Sequence, residues 1–180
     1  MTLLILGVLL WTIPHLLKRL APGLRAGWGD KAKGRLSLAM LAGLVLMVIG
    51  YRAADGAVFW GRSPMMVGIN NLLLLAALYL FAAAGMKTAL ARKMRHPMLW
   101  ATVLWAVGHL LVNGDTPSFV LFGSMAVWAL MSMALINRAE PWVAPAAKPA
   151  RFEAMVLVGT LLVYGAIAGL HTWLGYPTFG

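Results

Sequence analysis

The chain contains no cysteine, and only five of its 180 residues are Asp or Glu. Without a thiol there is no disulfide, no iron–sulfur cluster, no thiolate nucleophile, no thioether-linked haem and no cysteine-containing zinc site. The redox compartment stays open. Charge of either sign is scarce: 11% of residues are charged and 62% are hydrophobic, whereas soluble domains carry about 25% charged residues. Such a chain cannot cover a globular surface with polar groups and is expected in a lipid bilayer. What charge there is leans one way, with 15 Lys and Arg and a net charge of +10.

A helix needs about 20 apolar residues to cross the hydrocarbon, and six uncharged runs of that order occur, over 3–17, 36–51, 64–86, 97–113, 117–136 and 154–173. Arg35 and Arg52 flank the second run and can snorkel from its ends. None of the runs alternates like a barrel strand, and a lone strand cannot satisfy its backbone in lipid. The expectation is an all-α polytopic helix bundle of about six transmembrane helices, forming a single domain over 1–180. Residues 1–10 contain no Lys or Arg and no small-residue cleavage pattern follows, so the first run is expected to remain as a span. Pro64, Pro97 and Pro117 fall at or near first helical positions, with Ser63 and Thr116 as expected N-caps. Asn113, Gly114 and Asp115 read as a tight polar turn. Residues 139–150, with Pro141, Pro145 and Pro149, read as an extended surface loop.

The positive charge sorts by loop. Residues 18–35 hold six basic side chains, 87–95 hold four and 138–151 hold three, whereas the alternate loops hold only Arg52 and Arg62. The positive-inside rule then puts the three basic loops in the cytoplasm and both termini on the far side. Basic residues near anionic lipid gain about 1 kcal/mol each, so the excess needs no nucleic acid.

The polar groups left inside the spans are few. Ionisable groups at membrane depth are costly and are functional candidates by default. His109 lies well inside the fourth run. His15 is one turn from the cytoplasmic edge, His171 is four residues before Gly175, and His96 adjoins Arg95 and reads as interfacial. With no intramembrane carboxylate and no His-Glu-x-x-His spacing, zinc hydrolysis is disfavoured. Haem b needs only one or two axial imidazoles in an apolar pocket and suits this composition better. Trp11, Trp60, Trp100, Trp105, Trp128, Trp142 and Trp173 can stack on a porphyrin, but belts of Trp near interfaces are ordinary and are the preferred reading. The twelve Met read as packing groups. Gly165 and Gly169 form a small-xxx-small pair expected to let helices approach. Asn70, Asn71 and Asn113 read as interhelical hydrogen bonders. Asp115 reads as a cap in preference to a proton relay to His109.

Three stretches carry a family likeness. The first span ends in Pro14-His15-Leu16-Leu17, then come Arg95-His96-Pro97-Met98 and Leu104-Trp105-Ala106-Val107-Gly108-His109-Leu110-Leu111-Val112-Asn113-Gly114-Asp115, and His171-Thr172-Trp173-Leu174-Gly175 stands near the C-terminus. Together they resemble the NnrU family of bacterial membrane proteins, over nearly the whole chain. That resemblance implies a multi-pass protein of the bacterial inner (cytoplasmic) membrane, for which the charge count makes the termini periplasmic, and an association with denitrification and nitric oxide reduction. A more distant resemblance is to plant 15-cis-zeta-carotene isomerase, a haem b enzyme of the same domain type. It implies His15 and His109 as axial metal ligands. The isomerase's redox-switching cysteine falls on Ala106, which leaves imidazole ligation alone.

Depth along straight helices pairs the histidines differently. His15 sits about 5 Å inside the cytoplasmic edge, and His109 roughly 21 Å up the fourth helix from Arg95. By depth His171 matches His109, and His96 matches His15, unless a break at Pro14 or helix tilt shifts the levels. The candidate cofactor-binding residues are therefore His109, with His15 by resemblance or His171 by depth as its partner. Arg95-His96-Pro97 also resembles the cytoplasmic-face motif of isoprenylcysteine-type methyltransferases, but Leu99 and Ala101 replace its Tyr and Gly.

Two functions remain in view. One is a haem b protein doing redox or isomerisation chemistry on a small or lipid-soluble substrate. The other is a non-enzymatic membrane subunit or assembly factor whose basic loops dock a respiratory or denitrification complex, with a methyltransferase-like protein a more remote analogy. The loop charges make one direct prediction: a reporter fused to the C-terminus reads as periplasmic, and cytoplasmic activity of that fusion contradicts the charge count.

Overall fold

The apolar runs fold as helix, the conformation in which a single segment satisfies its backbone without water. The structure, a computed structural model, describes residues 1–29 and 31–179. Helices α1 (Thr2–Leu20), α2 (Pro22–Gly27), α3 (Ala32–Arg52), α4 (Pro64–Met86), α5 (Ala89–Lys93), α6 (Pro97–Val112), α7 (Thr116–Ser118), α8 (Ser124–Ala139) and α9 (Arg151–Trp173) are joined by short connections. Strands β1 (Val58–Trp60) and β2 (Gly114–Asp115) pair in a two-stranded ribbon. A π-helical turn, Phe119–Gly123, links α7 to α8, so that Thr116–Ala139 is one rod.

Among the described residues, five segments are long and apolar enough to cross a membrane: Thr2–Leu20, Ala32–Arg52, Pro64–Met86, Thr116–Ala139 and Arg151–Trp173. Their outward faces are apolar too. Leu38, Leu72 and Leu162 are 68%, 70% and 69% exposed, a surface that suits lipid and not water. The chain is thus an all-helical, multi-pass membrane protein. Helix α6 is apolar but has 16 residues, about 24 Å of rise against roughly 30 Å of hydrocarbon. Helix α1 runs through Pro14 without a break. Losing one backbone bond at proline costs about 3 kcal/mol, less than exposing the several groups that a broken turn would leave in lipid.

The chain forms two compact units, one of Met1–Phe59 and Gly114–Glu140, the other of Trp60–Asn113 and Pro141–Gly180. In the first, α1 packs along α3 and against the rod of Thr116–Ala139. Glycines set the α1–α3 distance. A Cβ on Gly7 would sit 2.6 Å from the Met47 nitrogen, one on Gly43 would sit 2.9 Å from the Gly7 oxygen, and one on Gly50 would strike the Leu4 backbone. The helices run antiparallel with their backbones in contact. By contrast, a Cβ on Gly165 or Gly169 would meet nothing within 4 Å. The expected small-residue seam is therefore not at that pair.

Polar ties fix the ends of this unit. Arg19 donates to Glu140 at 2.6 Å, joining the C-terminal ends of α1 and α8, and the Tyr51 hydroxyl lies 2.8 Å from Ser118 Oγ at the other end. Asp115, one residue before the expected Thr116, caps the rod: its Oδ1 accepts from the Ser118 N–H at 2.8 Å. The expected turn at 113–115 is instead a helix stop at Asn113 followed by strand β2.

In the second unit, α4 packs on α6 and α9. Gly108 lets α6 rest on Asn70, whose Oδ1 would be 3.0 Å from a Cβ there. Ala77, Leu80 and Ala101 form a small core against which Leu104 and Trp105 pack. Ser63 Oγ accepts from the Met66 N–H and caps α4 as expected. Glu153 accepts from the Ala89 N–H at 2.7 Å, bringing the start of α9 to the α4–α6 connection. Asn71 donates to the Thr178 carbonyl at 2.9 Å, whereas Asn113 bonds within its own helix. Residues 141–149 are irregular and largely exposed.

Within each unit the basic residues gather at one end. Lys18, Arg19 and Arg138 share the end closed by the Arg19–Glu140 pair, with Arg52 at the far end of α3. Lys87, Arg95 and Arg151 share the end marked by Glu153, with Arg62 before the start of α4.

Gly7→Ala or Gly50→Ala is expected to lower stability by about 1–3 kcal/mol through forced separation of α1 and α3. Gly165→Ala is expected to stay within about 0.5 kcal/mol. Unfolding in mixed detergent micelles measures both, and the reverse order would relocate the seam.

Candidate functional site

Side chains on a helix lean toward its N-terminus, over the preceding turn. An imidazole can therefore reach the carbonyl four residues earlier. Three histidines do so: His15 Nδ1 lies 2.7 Å from the Trp11 oxygen, His109 Nδ1 lies 2.8 Å from the Trp105 oxygen, and His171 Nδ1 lies 2.9 Å from the Ile167 oxygen. A carbonyl only accepts, so in each case Nδ1 carries the proton and, in the neutral ring, Nε2 keeps its lone pair. Metal-ligating histidines are oriented in this way, by a hydrogen bond from the second ring nitrogen.

In the first unit His15 is enclosed by aromatic rings. Trp11 lies 4.5 Å from it, centroid to centroid, tilted by 36°. Trp128 meets it edge-on at 4.9 Å, and the two indoles meet each other edge-on at 5.7 Å. The indole N–H groups of Trp11 and Trp128 are buried and have no acceptor among the described residues. Such a group costs about 1–3 kcal/mol, and two beside one imidazole make a locus that favours a hydrogen-bond acceptor. Trp128 also borders an apolar groove of about 420 Å³ with Val8, Thr12 and the π-turn residues Phe119 and Gly123.

In the second unit His109 is half-buried on α6, with the Trp105 ring 5.1 Å away and tilted by 54°. Its own carbonyl accepts from the Asn113 side chain at 2.9 Å, which closes the helix one turn further on. His171, on α9, lies within electrostatic range of His109. Both histidines that match in depth thus belong to this unit. His96 is at the N-cap of α6, where its carbonyl accepts from the Trp100 N–H and its side chain does not cap.

Among the described residues no three His, Asp or Glu side chains gather as a metal site. The chain offers single imidazoles whose Nδ1 is bound to the backbone, two of them beside indoles. Two of these settings repeat one spacing, Trp11 before His15 and Trp105 before His109, each four residues apart. Reading the tryptophans as belt residues passes over Trp11 and Trp128. The Trp-x-x-x-His repeat was the signal that singles out Trp11, and nothing in the sequence signals Trp128.

Among known families, the NnrU protein family model matches residues 3–178, through both units. No curated protein and no solved structure matches the chain. The hydrogen bonds make a spectroscopic prediction: ¹⁵N NMR of ring-labelled protein at neutral pH is expected to show His15, His109 and His171 with the proton on Nδ1. An Nε2-protonated majority at His109 would mean that its bond to Trp105 is not formed.

Proposed function

The chain belongs to the NnrU family, and on that premise we propose that it binds haem b through the Nε2 atom of His109. The observation that carries the proposal is the pinning of Nδ1 to the carbonyl one turn back, which fixes the ring and raises the basicity of the opposite nitrogen. His15 is the second imidazole by resemblance to the isomerase, and its own Nδ1 is pinned in the same way. His171 competes for that role because it lies within electrostatic range of His109. Ala106 provides no thiolate, so ligation is through imidazole alone.

Bound haem would supply a one-electron iron couple. The chain's own residues hold the imidazoles in place through their backbone bonds, and within the first unit Trp11 and Trp128 present indole donors to an acceptor beside His15. We place the chemistry in redox or isomerisation of a small or lipid-soluble substrate, in a setting tied to nitric oxide and denitrification. The surrounding membrane is the bacterial inner membrane, with the termini periplasmic. That orientation is supported by the gathering of basic residues at one end of each unit. Helix α6 serves as the sixth span, its shortness met by local bilayer thinning. A second reading, as a non-enzymatic membrane subunit or assembly factor, draws on the basic loops, which could dock a respiratory or denitrification complex.

Protein purified in detergent from haem-sufficient cells is expected to show a Soret band. His109→Ala abolishes it and His96→Ala spares it. Of His15→Ala and His171→Ala, the one that changes the band identifies the second ligand. A wild-type protein that shows no Soret band even after reconstitution with haem sinks the proposal and favours the docking role.

A further inference from the structure

The first unit has another concave feature, on the α1 face that α2 folds over. Leu6, Leu10, Ile13 and Leu17 recur along α1 at spacings of three and four, so they form one stripe. With Leu24 and Trp28 at its lower end this stripe walls a groove of about 520 Å³. The groove opens outward: Ile13 is 56% exposed and Leu24 57%. From Leu6 to Leu17 it runs about 16 Å, close to the roughly 15 Å that is half of the hydrocarbon core. It is therefore as long as one leaflet is deep.

One end is cationic. Arg35, at the start of α3, lines the groove together with Trp28. Residues 18–35 set six basic side chains against a single acid. Among the described residues Arg35 has no carboxylate within ion-pair distance, since the ion pair at this end joins Arg19 to Glu140. Trp prefers the headgroup level of a membrane, and a guanidinium matches a phosphate with two parallel hydrogen bonds. An apolar channel of leaflet length that ends in an arginine, within a segment of strong basic excess, is complementary to one kind of molecule, an amphiphile with an anionic headgroup.

We propose that this groove binds one anionic phospholipid of the bilayer, with an acyl chain along the Leu6–Leu17 stripe and the phosphate on Arg35. None of the four histidines lines it, so the site is independent of haem binding. The lipid ties α2 to α1 and α3 at the basic end of the unit.

Native mass spectrometry of the full chain released from micelles tests this, using phosphatidylglycerol and phosphatidylcholine with identical acyl chains. Wild type is expected to retain one phosphatidylglycerol about five-fold more than phosphatidylcholine, as one basic contact near anionic lipid allows. Arg35→Gln brings the ratio near one, while Arg92→Gln, an exposed cation of the other unit, leaves it unchanged. Leu10→Trp, which fills an exposed part of the groove, lowers retention of both lipids. A wild-type ratio near one overturns the proposal. So does an equal loss in Arg92→Gln, which would mean diffuse charge attraction, or displacement of the lipid by palmitate or by a second copy of the chain.

Discussion

In hydrocarbon a polar group has no water to fall back on, and an unsatisfied one costs several kcal/mol. The nearest acceptor on a helix is the carbonyl one turn back. His15, His109 and His171 each use it, as do Thr102 toward Met98 and Thr172 toward Ala168. A bond worth about 1 kcal/mol in an aqueous setting therefore decides where the ring points. Once Nδ1 is bound to the backbone, the lone pair on Nε2 is directed away from it. The most reactive nitrogen atoms of the chain owe their direction to a requirement of folding in lipid.

The same solvent removes the ordinary reason for helices to associate, because lipid is as apolar as a leucine side chain. Close backbone approach takes its place. In the first unit it is made by Gly7, Gly43 and Gly50, while in the second Gly108 lets the α6 backbone rest on the Asn70 side chain. Large apolar side chains are released to the outside, where they meet acyl chains. The polar ties then sit near the helix ends, at Arg19–Glu140, Tyr51–Ser118 and Glu153–Ala89, where headgroups and water lower the cost of an imperfect pair.

Much of this fold is legible one helix at a time. Span positions, the caps at Ser63 and Pro64, the start at Pro97 and the loop after Glu140 follow from local composition. Properties that belong to two helices are not legible in this way. Gly165 and Gly169 have the small-residue spacing, yet a Cβ at either would meet nothing within 4 Å among the described residues, whereas Gly7 and Gly43 lie on different helices and share no spacing at all. Thr116 and Asp115 are both able to cap, and the choice depends on which oxygen reaches the Ser118 N–H. Pro14 looks like a breaker because water would accept a frayed turn, and lipid does not. Among the site residues, the histidines stand out as ionisable groups within apolar runs. The enclosure of His15 by Trp11 and Trp128 depends on how α1 meets α8, which no single stretch encodes.

The π turn at Phe119–Gly123 gives the rod of Thr116–Ala139 two reading frames. A π turn is an α-helix that has taken in one residue without breaking. Upstream, Ser118 meets Tyr51; downstream, Trp128 meets His15 and Trp11. An unbroken α-helix would rotate one of these faces by roughly 100° relative to the other, and only one of the two contacts could form. The extra residue works as a phase shifter that lets one rod serve both the hydroxyl pair at its end and the aromatic enclosure nearly three turns further along. A rod shortened by one residue would remain an apolar helix long enough to span a membrane, but its two ends would face different neighbours.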